Sequence, residues 1–210
     1  QMIGDDARAV QTLQDVIDQN SPADVNFQTR LLIARCALQS MRGNLPAVQQ
    51  SARTALLEAD RFDLVESVGL TSYFLGCACY LRNEHKEAKQ ALQTGLQNRY
   101  FLRPRYYAYC AFMLARIYIE EGKHEEASSL ADDVVKFGIE LDHPFVQNYG
   151  QMFQAELALL AGDIAHAQQL VTVFSRERYS MLWASYFPAL AFAKVQIAVN
   201  TPESLKLAAI

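Results

Sequence analysis

A chain of 210 residues that is 51% hydrophobic and 20% charged has apolar material for a sizeable core, which excludes a wholly disordered segment. Its formal net charge of -4 and pI near 5.6 argue against a nucleic-acid surface, since phosphate binding needs a clustered excess of Lys and Arg, so no direct nucleic-acid contact is expected. No apolar run approaches the about 20 residues that span a bilayer, and the N-terminus lacks the basic start and apolar stretch of a signal peptide, so no membrane association is expected and the cytoplasm is the default compartment.

Taken in chain order, the first predicted helix covers residues 5–19. Asn20-Ser21-Pro22 ends it and starts the next, with Ser21 as N-cap and Pro22 at the first helical position. A helix over residues 23–41 places Phe27, Leu31, Ala34, Leu38 and Met41 at spacings of three and four, an amphipathic pattern that needs a partner. After Gly43-Asn44 a returning helix runs to about residue 60. The cycle repeats with outgoing helices at about 63–81, 104–121, 145–161 and 180–199, and returning helices at 85–97, 124–141, 164–177 and 202–210. Asp163 and Thr201 are the N-caps expected for the last two returning helices. Strand signals are absent.

The turns open at residues 43, 83, 122, 162 and 200, so the intervals are 40, 39, 40 and 38. A fixed period of that size predicts a repeat array. Five positions after each turn residue stands a small or apolar side chain: Val48, Ala88, Ala127, Ala167 and Leu205. Leu75-Gly76-x-x-Cys79 with Ala88 and Leu92, and Leu114, Ala115, Tyr118, Gly122 and Ala127 in the next unit, resemble the tetratricopeptide repeat, whose small residues sit where adjacent helices approach closely. The fold expected is all-α, a right-handed α-solenoid of antiparallel helix pairs, with residues 1–210 as one superhelical domain. The chain opens with a lone helix and stops nine residues into another, so a fragment of a longer array is expected. Cutting an array exposes apolar end surfaces, and a homodimer through them is allowed for.

In arrays of this kind the outgoing helices line the concave surface. The positions expected to face it are Arg30 and Ile33; Tyr73, Cys77 and Tyr80; Tyr109, Phe112, Arg116 and Glu120; Tyr149, Met152 and Glu156; Phe187 and Lys194. Arg116, Glu156 and Lys194 recur at equivalent positions of three consecutive units, which would make a polar line in an aromatic trough. Two readings stay open: a ligand or partner groove, or tyrosines packed between helices with their hydroxyls at the rim. The segment from Arg99 to Tyr107 mixes aromatics with Arg99, Arg103 and Arg105, either to stack on planar or anionic ligands or to cover the edge of the core.

Catalytic patterns are missing. His85, His124 and His166 start returning helices, and HEEAS from His124 lacks the second His of a zinc protease. There is no Gly-rich phosphate loop and no nucleophile elbow. Cys77 and Cys79 are spaced C-x-C on a helix, pointing about 200° apart, with no Cys/His pair to complete a metal site. Cys36, Cys77, Cys79 and Cys110 are expected as buried reduced thiols. No enzyme activity, cofactor or metal is expected.

The run FQAELALLAGD over residues 153–163, followed by Ala167 and Gln168, and the run LAFAKVQIAVNTPESL over residues 190–205 resemble the helical repeat region of large ATP-dependent LuxR-type (MalT-like) transcription regulators. The resemblance implies a nucleotide-binding domain before this segment and a DNA-binding helix-turn-helix after it. It implies that an inducer or partner protein binds the concave face. The alternative is a generic tetratricopeptide scaffold that docks peptides through a few anchors.

Overall fold

A computed structural model describes residues 8, 11, 12, 15, 16, 25–172 and 187–208. The helix expected over residues 5–19 falls largely outside them, as do Ser21, Pro22 and residues 173–186. The described chain folds as ten helices: α1 (Val25–Met41), α2 (Leu45–Arg61), α3 (Val65–Leu81), α4 (His85–Gln97), α5 (Pro104–Glu120), α6 (His124–Glu140), α7 (Pro144–Leu160), α8 (Ile164–Val171), α9 (Phe187–Val199) and α10 (Pro202–Ala208). Among the described residues there is no strand and no helix long and apolar enough to cross a membrane.

The period of about 40 resolves into two halves of 20. Helices α1, α2, α3, α5, α6 and α7 each have 17 residues, and three residues join α1–α2, α2–α3, α3–α4, α5–α6, α6–α7 and α7–α8. One device builds all six of these linkers. Gly43, Asp63, Asn83, Gly122, Asp142 and Gly162 take φ between 48° and 81°, the left-handed conformation that ends a helix. The N–H of the next residue then reaches back five residues to a carbonyl: Asn44 to Gln39, Leu64 to Ala59, Glu84 to Cys79, Lys123 to Tyr118, His143 to Gly138 and Asp163 to Ala158, all at 2.8–3.0 Å. That residue's own carbonyl accepts the first bond of the following helix, as from Val48 to Asn44 and from Ala167 to Asp163. One residue therefore closes one helix and opens the next, which satisfies polar backbone groups at both ends in three residues. Asp163 caps α8 by accepting from the His166 amide at 3.0 Å, and Thr201 caps α10 by accepting from the Ser204 amide at 3.1 Å.

The structure forms two compact units, Gln1–Ile117 and Tyr118–Ile210. In the first, α1 packs on α2, α2 on α3 and α3 on α4, with α1 also touching α3. The nine residues Thr71–Cys79 of α3 and the nine from Tyr107 to Ala115 of α5 are all buried. The even-numbered helices are instead amphipathic and press small residues inward, Ala52, Ala55 and Ala59 on α2 and Ala88 and Ala91 on α4. In the second unit α6 packs on α7, α7 on α8 and on α9, and α9 on α8 and α10. Here Gly138 and Gly150 allow α6 and α7 to approach. A Cβ on Gly138 would lie 2.4 Å from the Gln147 backbone nitrogen, and one on Gly150 would lie 2.8 Å from that of Val135. These consecutive packed helix pairs are those of a helical repeat.

Candidate functional site

In the first unit α3 and α5 carry an aromatic cluster. The ring of Tyr73 lies 5.1 Å from Phe74, 5.0 Å from Tyr106 and 5.8 Å from Tyr109, with Tyr106 also 5.9 Å from Tyr109. Edge-on and tilted rings at such distances stabilise one another beyond their buried area. Tyr73 and Tyr109 are 2% and 1% exposed, and Phe112 is buried, so these three form the core, and a ligand touches them only where that packing opens. Tyr80, half-buried as the penultimate residue of α3, stacks on His85 at 5.7 Å. Arg116 is half-buried and Arg30 is exposed, reaching Glu66 at 3.5 Å.

In the second unit Tyr149 lies between Phe145 at 5.9 Å and Phe187 at 5.2 Å. Tyr149 and Met152 are buried, while Glu120 is exposed. Two of the expected polar positions meet: Lys194 Nζ donates to Glu156 Oε1 at 2.5 Å. The Glu156 side chain is 5% exposed and that of Lys194 is 41% exposed. An ion pair with one partner inside costs desolvation that an apolar pair of the same volume would avoid, so it is weakly explained as a stability element.

A second set of polar contacts lies among α2, α3 and α4. Gln49 Nε2 donates to Cys79 Sγ at 3.2 Å and to Glu84, which also accepts from Arg82 at 2.9 Å. Arg53 grips Glu87 with two bonds of 2.9 Å each, a fork geometry that raises the Arg53 guanidinium above its ordinary value. The Arg82 and Gln49 hydrogen bonds hold the Glu84 carboxyl below its usual range. Burial, and then the nearby Glu87 and Glu84, push the Cys79 thiol up to about 11. Donor atoms of Cys79, Glu84 and Glu87 lie within 4.8 Å of one another, but Arg53 and Arg82 already hold the two carboxylates and the thiol stays protonated. This cluster is arranged as an ion-pair network. Burial also raises Cys36 to about 12 and raises Cys77 and Cys110 well above the ordinary range, so none of the four thiols is a nucleophile near neutral pH.

Beside this network a cleft of about 520 Å³ runs between α2 and α4 over α3, lined by Arg53, Leu56, Leu57, Val68, Leu75 and Ala91. Within the second unit a cleft of about 700 Å³ lies at the equivalent place, among α6, α7 and α8. A shift of 79 residues carries Arg53 to Asp132, Leu75 to Gln154 and Glu87 to His166. The salt-bridge pair of one cleft is thus replaced in the other by Asp132, which accepts from Gln154 at 2.7 Å, and by His166. Attention to outgoing helices alone passes over both clefts. For the first cleft the available signal is complementary polar groups at helical spacing, Gln49 and Arg53 four apart against Glu84 and Glu87 three apart. Compared with known proteins, the chain matches no family model and no curated protein.

Proposed function

We propose that this chain is a non-catalytic sensory and protein-interaction repeat domain, a right-handed solenoid segment of an ATP-dependent LuxR-type (MalT-like) regulator, working in the cytoplasm. It binds an inducer or partner through the outgoing-helix face. DNA contact belongs to a separate domain. The observation that carries this reading is the Glu156–Lys194 pair, a costly polar element linking α7 to α9, whose half-exposed Lys194 end a polar ligand can meet. The exposed or half-exposed members of the groove set, Arg30, Ile33, Tyr80, Arg116, Glu120 and Lys194, are the ones a ligand can reach without opening the core. Binding shifts the protein only as far as the ligand prefers one arrangement of the array over another.

A thermal-shift series against sugars, metabolites and short peptides tests it, since selective binding to the native state raises the melting temperature. A saturable shift that disappears in Lys194→Met, with helicity by circular dichroism intact, is expected. A shift that survives the substitution removes the ion pair from the site. The two repeat-related clefts favour a second reading, a scaffold that docks peptides between even-numbered helices. Binding of peptides alone, lost in Leu57→Asp and kept in Lys194→Met, would select it.

A further inference from the structure

The linker between α4 and α5 departs from the other short ones. It has six residues, 98–103, where six linkers have three, and it follows a helix of 13 residues rather than 17. Two consecutive aromatics, Tyr100 and Phe101, stand 63% and 65% exposed on it. A loose loop would expose side chains by default, but this loop is braced. The amides of Phe101 and Leu102 both donate to the Asn98 carbonyl, at 3.0 and 2.9 Å, and Asn98 Nδ2 donates to the Thr94 carbonyl at 3.0 Å. Leu102 is buried against α3, its Cδ1 3.1 Å from where a Cβ on Gly69 would stand. Gly69 therefore admits the side chain that pins the loop. The aromatics are held outward by a fixed backbone.

Charge gives the chemistry of what they meet. Residues 99–106 hold three arginines and no carboxylate, in a chain whose net charge is -4. The Arg99 guanidinium lies 4.5 Å over the Tyr100 ring, which fixes the direction of its charge before any partner arrives. Arg103, with its side chain 70% exposed, lies 3.8 Å from Glu66, a carboxylate shared with Arg30 at 3.5 Å. Preset arginines beside two outward aromatic rings match the composition of protein-binding surfaces, where aromatic residues and Arg are enriched.

We propose that residues 99–103 form a docking surface for an acidic protein segment that carries an apolar anchor, its carboxylates meeting Arg99 and Arg103 and its anchor lying on Tyr100 and Phe101. It shares no residue with the inducer face proposed above. Fluorescence anisotropy of labelled nonapeptides of Asp and Glu around a central Leu, Phe or Trp tests it with the full 210-residue chain. At least one peptide is expected to bind saturably, with a Kd of about 10–100 µM typical of a small transient interface. Arg103→Glu, and separately the pair Tyr100→Ser with Phe101→Ser, should each weaken binding about tenfold, and added salt should weaken it further. These side chains are exposed, so the melting temperature should hold. Arg99→Glu gives a second charge test if Arg103→Glu alters it through Glu66. The proposal is overturned if no acidic peptide binds, if lysine counterparts bind as well, if the variants bind unchanged, or if a uridine oligonucleotide binds these residues in preference.

Discussion

Single atoms decide how closely α6 and α7 can lie. With the Gln147 nitrogen 2.4 Å from a Cβ on Gly138, the obstacle is backbone and cannot rotate away. Gly138→Ala is expected to cost about 2–3 kcal/mol, the upper part of the overpacking range, measured as a lower urea midpoint at unchanged m. Gly76→Ala meets Leu92 Cγ at 2.6 Å and Cδ2 at 2.7 Å, side-chain rather than backbone atoms, and should cost less because a side chain can shift where a backbone nitrogen cannot. The thiols give a second prediction at this scale. The folded pKa of Cys79, about 11, and of Cys36, about 12, stand above the ordinary thiol value of 9.0, because burial disfavours the thiolate. Their contribution to stability is complete below pH about 9 and is lost as pH rises through 11 and 12, since the unfolded chain ionises first. Native protein should leave all four cysteines unreactive to a thiol reagent at pH 8, with reaction of all four on unfolding.

At the scale of the element, the left-handed residue that ends each 17-residue helix carries the architecture. Gly122 has φ 74° and open space where a Cβ would stand, so a substitution there tests conformation without a steric clash. Gly122→Ala should cost about 1–2 kcal/mol, and Gly122→Asn should recover most of it, since Asn tolerates this region. Equal losses for both would mean that the linker needs something other than the backbone angle. The same tolerance explains why the 20-residue half-period is hard to see in the sequence. Gly43, Gly122 and Gly162 announce themselves as turns, whereas Asp63 and Asp142 take the same conformation, at φ 53° and 48°, without a glycine. From α1 to α7 the helix ends fell within about two residues of expectation, because caps and the 3.6-residue period act within a turn of the chain, whereas α8 ends at Val171 against an expected 177.

At the scale of the molecule, helices contact near neighbours in sequence within each of the two units. Stability in such arrays is a sum of local terms and neighbour interfaces, so a local lesion need not spread. In Gly138→Ala, amide exchange should accelerate in α6 and α7 while α2 and α3 keep their protection. Uniform acceleration along the chain would show a single cooperative unit instead.

What the sequence by itself determined was local. Turn spacing, apolar periodicity and the caps at Asp163 and Thr201 specified an all-helical chain of paired helices, since each signal is written and read within a few residues. Tertiary structure decided which side chains are accessible and which polar groups meet. The nine residues Thr71–Cys79 of α3 are all buried, so no apolar stripe fixes the rotation of that helix, and the burial of Tyr73 could not be read from spacing. Lys194 meets Glu156 across 38 residues, Glu87 meets Arg53 across 34, and Glu84 meets Gln49 across 35. Such pairs depend on the rotation and approach of whole helices, which packing sets.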